Sequence, residues 1–402
     1  IRNNSKLIER NLIMKIGIDK IGFAMPNYYL DIRDLAAARG IEPDKFTKGL
    51  LQLEMSIPPV SQDIVTLGAQ AAYEILDKDD LEKIDMIIVG TESGIDQSKA
   101  SAVFIHGLLD IQPFVRAIEV KEACYGATAA LDFAKNHVMN NPESKVLVIA
   151  SDIAKYGVKS SGESTQGAGS CAMLVSSNPR ILELNNDNVC LTRDVMDFWR
   201  PNYSHYAFVE GRFSTEQYLD CLTTTWGRFS EKSKQNLNDF SAVCLHLPYP
   251  KLGLKGLSLL LEQAEEDKKE ELLAHFNESI LYSQRVGNIY TGSLFLGLLS
   301  LLENNTTLEA GNKIALYSYG SGAVAEVFSM TLVDGYRKQL RNNRFDDFDS
   351  RTRISIDEYE KMFFRDTTVD EEGNLDISDI QDESRFVLEK IENHKRVYKK
   401  QF

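Results

Sequence analysis

The stretch Ile84–Glu92 reads IDMIIVGTE, a short apolar run that ends in glycine and polar residues, as buried strands do. Glu122–Thr128 (EACYGAT) then opens a helix of small residues, and Lys145–Asp152 (KVLVIASD) repeats the strand pattern. The same order of strand, helix start and strand returns in a second set of segments: Phe240–His246 (FSAVCLH), Gly287–Ser293 (GNIYTGS) and Lys313–Gly322 (KIALYSYGSG). This internal repeat predicts two similar halves. The alternative is that two unrelated α/β halves of similar composition resemble each other by chance. The chemistry of particular residues has to distinguish a true repeat from such a chance likeness.

Apolar strands alternate with amphipathic helices along the chain. The predicted strands are Ile84–Val89, Val146–Ile149, Cys171–Val175, Ser241–Leu247 and Ile314–Tyr317. The predicted helices are Ile64–Leu76, Ala127–Val138, Thr215–Trp226, Gly256–Glu265 and Gly292–Leu302. This alternation favours sheets that are covered by helices on both faces, and it predicts the α/β fold class.

The length and composition indicate an ordinary globular chain with several parts. Its 402 residues, 43% hydrophobic and 26% charged, exclude a disordered, collagen-like or coiled-coil chain. We divide it into residues 1–13, an upstream or added extension, a first half of residues 14–180, a second half of residues 181–333, and a charged, irregular cap of residues 334–402. Residues 370–379 of the cap resemble a calcium loop. With Gly373 as its invariant glycine, however, the position of the bidentate glutamate holds an aspartate, and no metal site is predicted.

Charge and cysteine content limit the classes of partner. A formal net charge of −14 repels phosphate backbones and anionic lipid surfaces, so neither nucleic acid nor a membrane is a predicted partner. The longest apolar stretch, Gly292–Leu302, is much shorter than the roughly 20 residues that cross a bilayer. Five cysteines form an odd set without a C-x-x-C pair: Cys124, Cys171, Cys190, Cys221 and Cys244. In a chain of this size they predict reduced thiols in a cytoplasm rather than disulfides or a zinc site.

Cys124 differs from the other cysteines in its surroundings. Small residues flank it on both sides, and a helix is predicted to begin directly after it. The amino terminus of a helix offers partial positive charge and free N–H groups, which lower the pKa of a thiol and can bind an oxyanion. The sequence therefore predicts a nucleophilic thiolate at Cys124, with a buried, inert cysteine as the alternative.

Two further side chains stand at equivalent strand ends of the repeat, Glu92 and His246. A carboxylate against apolar walls has a raised pKa and can act as a base near neutrality, where imidazole already titrates. A turn cap for Glu92 and a structural histidine for His246 are the alternatives. The two side chains are predicted to supply the proton chemistry that a nucleophilic sulfur needs.

These residues lie in segments that resemble the bacterial 3-hydroxy-3-methylglutaryl-CoA synthases of the thiolase-like superfamily, over nearly the whole chain from Met14. Eight ordered segments carry the resemblance: Thr91–Lys99 (TESGIDQSK), Glu122–Thr128 (EACYGAT), Ala150–Tyr156 (ASDIAKY), Thr165–Gly169 (TQGAG), Asp197–Pro201 (DFWRP), His246–Lys251 (HLPYPK), Gly287–Thr291 (GNIYT) and Ser318–Gly322 (SYGSG). The resemblance implies a thiolase-like fold, with the two halves forming a layered αβαβα sandwich.

The resemblance also implies an activity, the condensation of acetyl-CoA with acetoacetyl-CoA and water to 3-hydroxy-3-methylglutaryl-CoA and CoA. Cys124 would be the acylated nucleophile, Glu92 the general acid/base and His246 the partner of the second substrate. By the same resemblance Asp96, Asp152 and Asp197 would support the site, and Thr165, Ser214, Lys251, Lys255, Asn288 and Ser321 would contact the acyl-CoA. No metal or redox cofactor is implied. A homodimer and a cytoplasmic place in the mevalonate route are implied by the resemblance alone.

Three alternatives stay open at this point. A β-branching synthase of polyketide assembly would use the same cysteine chemistry on acyl groups bound to carrier proteins. A ketoacyl synthase is disfavoured because it uses no glutamate in this role. An inactive scaffold would bind acyl-CoA without turnover, which the presence of Glu92, Cys124 and His246 disfavours.

Overall fold

The computed structural model describes residues 14–402, so the expectation for residues 1–13 lies outside the described residues. The strands are β1 (Ile16–Ala24), β2 (Tyr28–Asp31), β3 (Glu54–Ile57), β4 (Ile84–Gly90), β5 (Arg116–Val120), β6 (Lys145–Ala154), β7 (Gly167–Ser177), β8 (Leu182–Leu184), β9 (Val189–Thr192), β10 (Phe198–Trp199), β11 (Phe208–Val209), β12 (Ala242–Leu245), β13 (Lys313–Gly320), β14 (Val324–Leu332), β15 (Thr352–Arg353), β16 (Leu375–Asp376), β17 (Phe386–Glu392) and β18 (Lys395–Lys400).

The helices are α1 (Ile32–Ala38), α2 (Asp44–Thr47), α3 (Ile64–Ile75), α4 (Lys78–Lys83), α5 (Ser101–Leu108), α6 (Gly126–Asn140), α7 (Gly211–Ser233), α8 (Pro250–Leu261), α9 (Glu266–Ser279), α10 (Ser283–Val286), α11 (Ser293–Asn304), α12 (Arg344–Asp349) and α13 (Ile356–Phe364). Short 3₁₀ helices cover Glu163–Thr165, Leu237–Asp239, Tyr290–Gly292 and Tyr336–Gln339.

The main sheet contains the predicted repeat. Its strands follow the order β12-β13-β14-β8-β1-β7-β6-β4-β5, with β9 also paired to β14. In the first half β4 and β6 are parallel, and β7 and β1 follow antiparallel. In the second half β12 and β13 are parallel, and β14 and β8 follow antiparallel. The halves meet where β1 pairs with β8, so the same four-strand pattern occurs twice in one sheet.

Side chains alternate between the two faces of each strand, as the period of two requires. In the first half Ile88 and Val148 face a central core that contains α6 and α11, whereas Ile87 and Ile149 face α3 and α5. In the second half, Leu316 faces the same central core, and its neighbours on β13 face α7, α8 and α9. The two halves of this sheet therefore lie on either side of one shared layer of α6 and α11, with further helices outside each half, which confirms the αβαβα arrangement that the resemblance implied.

The predicted boundaries differ most from the structure at the end of α7, which is Ser233 rather than Trp226, and at the start of α8. The predicted helix began at Gly256, but α8 begins at Pro250 and ends at Leu261. Proline favours the first turn of a helix because its missing N–H would have no partner there, and Pro250 accordingly starts α8. The helix predicted to begin at Thr215 is likewise longer, because α7 starts at Gly211.

The cap of residues 334–402 is more ordered than its charged sequence predicted. Its segment β15 extends the small sheet of β2 and β3, and β16, β17 and β18 form a second small sheet. Apolar side chains such as Phe348, Tyr359 and Phe386 are fully buried against the rest of the molecule. Asp379, in the segment that resembles a calcium loop, pairs with Arg365 at 2.6 Å. Within residues 14–402, no helix is both long and apolar enough to cross a bilayer.

Candidate active site

The thiol of Cys124 contacts the carboxylate of Glu92. Cys124 lies two residues before α6, in a tight turn in which the Tyr125 N–H donates to the Glu122 carbonyl at 2.9 Å. Glu92 follows the end of β4, and the two elements approach closely because Gly90 has no side chain: a Cβ there would lie 2.4 Å from the Ala127 nitrogen. Across this contact, Cys124 Sγ donates a hydrogen bond to Glu92 Oε1 at 3.0 Å.

The charge state of this pair differs from the sequence-based expectation. Burial, together with the nearby charge of Asp152, raises the pKa of Glu92 to about 8. Burial and the adjacent Glu92 carboxylate also raise the pKa of the Cys124 thiol well above its usual range. The predicted low thiol pKa is therefore wrong, because desolvation and a neighbouring negative charge outweigh the helix amino terminus. Sulfur keeps its proton, and Glu92 is the group placed to accept it.

Asp152 holds the backbone on either side of Glu92 and joins the two halves. Its Oδ1 accepts hydrogen bonds from the Thr91 hydroxyl at 2.8 Å, the Ser93 hydroxyl at 2.6 Å and the Glu92 N–H at 2.9 Å. Its Oδ2 accepts from the N–H and hydroxyl of Thr291, at the start of the helical segment of the second half. Asp152 is fully buried, and its charge is one cause of the raised pKa of Glu92.

His246 directly follows β12, as predicted from the repeat. Its backbone N–H donates to the Tyr317 carbonyl at 2.8 Å, and its carbonyl accepts from the Tyr218 hydroxyl at 2.8 Å. Within residues 14–402 no side chain is hydrogen-bonded to the ring, which faces the cavity. Burial lowers the pKa of His246 to about 3. The expectation that this imidazole titrates near neutrality is therefore wrong, and the ring is neutral at pH 7.

A cavity of about 430 Å³ brings residues of both halves together. Its lining includes Cys124 and His246 and four of the six residues predicted to contact acyl-CoA: Thr165, Ser214, Asn288 and Ser321. The lining does not include the other two, which lie on α8, Lys251 half-buried and Lys255 exposed. Tyr249 and Leu252 on either side of Lys251 do line the cavity, so Lys251 flanks its wall.

The other two predicted supporting acids differ in position. Asp197 is buried, and its carboxylate accepts from the Tyr319 hydroxyl at 2.8 Å, the Ser214 hydroxyl at 3.1 Å and the Gly322 N–H at 2.9 Å. It thereby holds three elements of the cavity wall. Asp96 instead lies on an exposed turn, where it caps the Ser98 and Lys99 N–H groups, and the structure does not bring it to the cavity.

Sequence reasoning missed an aromatic wall beside the nucleophile. Tyr156, Phe198 and Tyr290 line the cavity, with ring centroids 5.9–6.1 Å apart in edge or tilted contacts. The Tyr156 hydroxyl accepts from Asn288 Nδ2 at 2.7 Å. All three aromatic residues stand in segments that carried the resemblance, so their proximity in sequence to Asp152, Asp197 and Asn288 was the available signal. Arg200, which donates to the Glu92 carbonyl, was also missed.

Comparison with known proteins finds relatives over nearly the whole chain. The family described as "Hydroxymethylglutaryl-coenzyme A synthase N terminal" matches residues 13–180, and its C-terminal counterpart matches residues 186–274 and 266–401. A hydroxymethylglutaryl-CoA synthase of Enterococcus faecalis is 52% identical over 389 residues, which cover 96% of this chain and 100% of that protein.

Two further comparisons add a solved structure and a more distant relative. A crystal structure of a hydroxymethylglutaryl-CoA synthase complexed with CoA is 56% identical, with a TM-score of 0.95 over 96% of this chain and 100% of the other. The polyketide biosynthesis 3-hydroxy-3-methylglutaryl-ACP synthase PksG of Bacillus subtilis is 30% identical over 87% of this chain and 88% of that protein. The resemblance found in the sequence is confirmed, and this chain belongs to the hydroxymethylglutaryl-CoA synthase family.

Proposed function

We propose that this protein condenses acetyl-CoA with acetoacetyl-CoA and water to give 3-hydroxy-3-methylglutaryl-CoA and CoA. The observation that carries the proposal is the 3.0 Å hydrogen bond from the Cys124 thiol to the Glu92 carboxylate, at a cavity that His246 shares. A sulfur nucleophile, a base with a pKa near neutrality and a hydrogen-bond donor are the three groups that this condensation needs.

The first step is acetyl transfer to Cys124. Glu92 accepts the thiol proton as sulfur attacks the carbonyl carbon of acetyl-CoA. The tetrahedral intermediate then expels the CoA sulfur, which takes the proton back from Glu92. The products are an acetyl thioester on Cys124 and free CoA, and the Glu92 carboxylate is restored.

The second step forms the carbon–carbon bond. A thioester delocalises poorly into its carbonyl, so its methyl protons are acidic enough for Glu92 to remove one. The enolate attacks the C3 ketone of acetoacetyl-CoA, and the resulting alkoxide accepts a hydrogen bond from the neutral His246 ring. Because the His246 pKa is about 3, the ring acts as a hydrogen-bond donor rather than as an imidazolium acid, and the methyl proton held by Glu92 passes to the alkoxide. Water then hydrolyses the Cys124 thioester.

The phosphates of the substrate need local positive charge on a protein with a net charge of −14. Lys251 and Lys255 on α8 are the predicted groups, and Lys251 lies between two residues of the cavity wall. The reaction as written needs no metal or redox cofactor, because the thioester itself acidifies the methyl group. A homodimer and a cytoplasmic place in the mevalonate route complete the proposal, and the five free thiols support a reducing compartment.

One assay tests the main proposal. Acetoacetyl-CoA has an enolate absorbance that should fall with time when acetyl-CoA and enzyme are added, and the product should be 3-hydroxy-3-methylglutaryl-CoA by mass. Turnover only with acyl groups on carrier proteins would favour the β-branching alternative. The chain is 52% identical to a synthase that is named for CoA and only 30% identical to PksG, which is named for a carrier protein, and this difference supports the main proposal. Binding of CoA without any turnover would indicate an inactive scaffold. Sedimentation of the purified protein tests the dimer.

A further inference from the structure

One wall of the cavity is a loop whose first residues are held by a buried amide side chain. The loop runs from Tyr156 to Thr165, and both ends of it line the cavity. Gln166 is buried, and its Oε1 accepts from the N–H of Tyr156 at 2.8 Å and of Gly157 at 3.1 Å. One amide side chain therefore closes the loop and fixes the backbone of the tyrosine beside the nucleophile.

The nitrogen of the Gln166 side-chain amide is hydrogen-bonded to a residue of the C-terminal cap. Gln166 Nε2 donates to the hydroxyl of Tyr359 at 2.8 Å, and Tyr359, on α13, is 1% exposed. The Tyr359 hydroxyl donates to Glu163 Oε1 at 3.1 Å. Arg39 in turn holds Glu163 with two hydrogen bonds of 2.8 and 2.9 Å. A buried, fully paired network of this kind has one low-energy arrangement, because any unpaired member is costly in a low dielectric.

A second contact from the same helix reaches a neighbouring part of the wall. Phe363, one turn after Tyr359, stacks on Tyr206 with centroids 6.2 Å apart and planes within 6°. Tyr206 belongs to the hairpin of β10 and β11, which contributes Phe198 and Val209 to the cavity lining. One helix of the cap thus supports two separate segments of the wall.

We propose that Tyr359 and Phe363 are positioning residues that set the shape of the acyl-CoA cavity from outside it, Tyr359 through Gln166 and Phe363 through Tyr206. Neither side chain lines the cavity. The identity of the ligand as an acyl-CoA rests on the proposed function. The proposal gives the charged C-terminal region a role in substrate binding that its surface position does not suggest.

The test compares Tyr359→Phe and Gln166→Met with the wild type in the full-length protein. Removing the Tyr359 hydroxyl leaves Gln166 Nε2 without its acceptor, so the loop loses its fixed position. In each of the two variants, calorimetry should show a dissociation constant for CoA about 5- to 10-fold higher than in the wild type. The KM for acetyl-CoA should rise by the same factor, with kcat within about twofold of the wild type. The double variant should bind CoA as tightly as the weaker-binding single variant, because both substitutions remove the same hydrogen bond between Gln166 and Tyr359.

A matched control is Tyr336→Phe, which also removes a buried hydroxyl from the cap. This hydroxyl donates to the Leu308 carbonyl at 2.9 Å, and neither residue lines the cavity. It should leave the CoA dissociation constant unchanged. An unchanged constant in Tyr359→Phe, or an equal rise in both variants, would overturn the proposal. Should Tyr359→Phe not fold, Phe363→Leu tests the second contact with the same expected rise.

Hydrogen exchange separates this proposal from the proposed function. The amides of Tyr156 and Gly157 are bonded to Gln166, so they should exchange at least tenfold faster in Tyr359→Phe, with or without a ligand. Unchanged exchange overturns the positioning role whatever the enzyme does. If exchange is faster in Tyr359→Phe but the wild type neither binds CoA nor consumes acetyl-CoA, the positioning role is upheld and the proposed function is overturned.

Discussion

Thr291, in the second half, donates hydrogen bonds from both its N–H and its hydroxyl to the carboxylate of Asp152, in the first half. The other oxygen of the same carboxylate holds the N–H of Glu92. The base of the proposed reaction is therefore fixed by a contact between the two halves, and its charge state depends on their association.

Replacement of the nucleophile should remove the covalent intermediate. Cys124→Ala should abolish transfer of label from radiolabelled acetyl-CoA to the protein, because no other group at the cavity can form the thioester. Cys190→Ala, at an exposed cysteine outside the cavity lining, should label as the wild type does. Retention of label in the first variant would remove Cys124 from its proposed role.

Replacement of the base should separate the two steps. Glu92→Gln should still label with acetyl-CoA but more slowly: the base that accepts the thiol proton is lost, while loss of the carboxylate lowers the pKa of the thiol and lets some thiolate form without that base. Condensation should fall by about 10²- to 10⁴-fold for want of a base to form the enolate. The alkylation rate of Cys124 as a function of pH measures the thiol pKa directly. A thiol pKa that rises in the variant would contradict the argument.

The pH dependence follows from the direction of the Glu92 shift. A carboxyl group with a pKa of about 8 is protonated below that pH and cannot act as a base, so kcat/KM for acetyl-CoA should rise with pH and level off above about 8. Asp152→Asn removes a negative charge that raises this pKa, so the rise should move to lower pH. Asp85→Asn, at the opposite end of β4, should leave it in place. If kcat/KM instead rose at a higher pH in Asp152→Asn than in the wild type, the charge of Asp152 would not be a cause of the raised Glu92 pKa.

The role of His246 can be tested by what rescues its loss. His246→Ala should reduce condensation by about 10²- to 10³-fold, the cost of one missing oxyanion donor, while acetylation of Cys124 continues. His246→Gln supplies a neutral N–H donor and should recover part of the lost rate. No recovery with Gln, in a folded protein, would indicate that the ring acts as a charged acid instead.

The contact between β4 and α6 predicts a strict need for glycine. In Gly90→Ala the new methyl would lie 2.4 Å from a backbone nitrogen, so β4 and α6 must move apart. We expect a loss of about 1–3 kcal/mol in the free energy of unfolding and at least a tenfold lower kcat, because Glu92 moves away from Cys124. Gly107→Ala, on α5 with nothing within 4 Å, should keep the wild-type stability and activity. Equal behaviour of the two variants in denaturant titrations would contradict this.

Local pattern was enough to predict the α/β fold class and the candidate chemistry, whereas the layered arrangement was implied by the family resemblance. Strand and helix periodicity depends on neighbours two to four residues apart, and polar side chains at the ends of parallel strands must share one edge of a sheet. Cys124, Glu92 and His246 could therefore be chosen from the repeat before any coordinates. The start of α8 at Pro250 was missed because a proline inside a turn and a proline at the first position of a helix look alike in a single sequence.

The tertiary structure alone decided the protonation states and the supports of the site. The pKa of Glu92 depends on burial and on Asp152, 60 residues away, and no local signal carries either quantity. The same holds for Tyr359, which reaches Gln166 across 193 residues of chain. Composition and spacing determine which groups are available, but a pKa or a buried network depends on solvent exclusion and on partners brought together by folding. Those are properties of the packed molecule, and the linear chain does not have them.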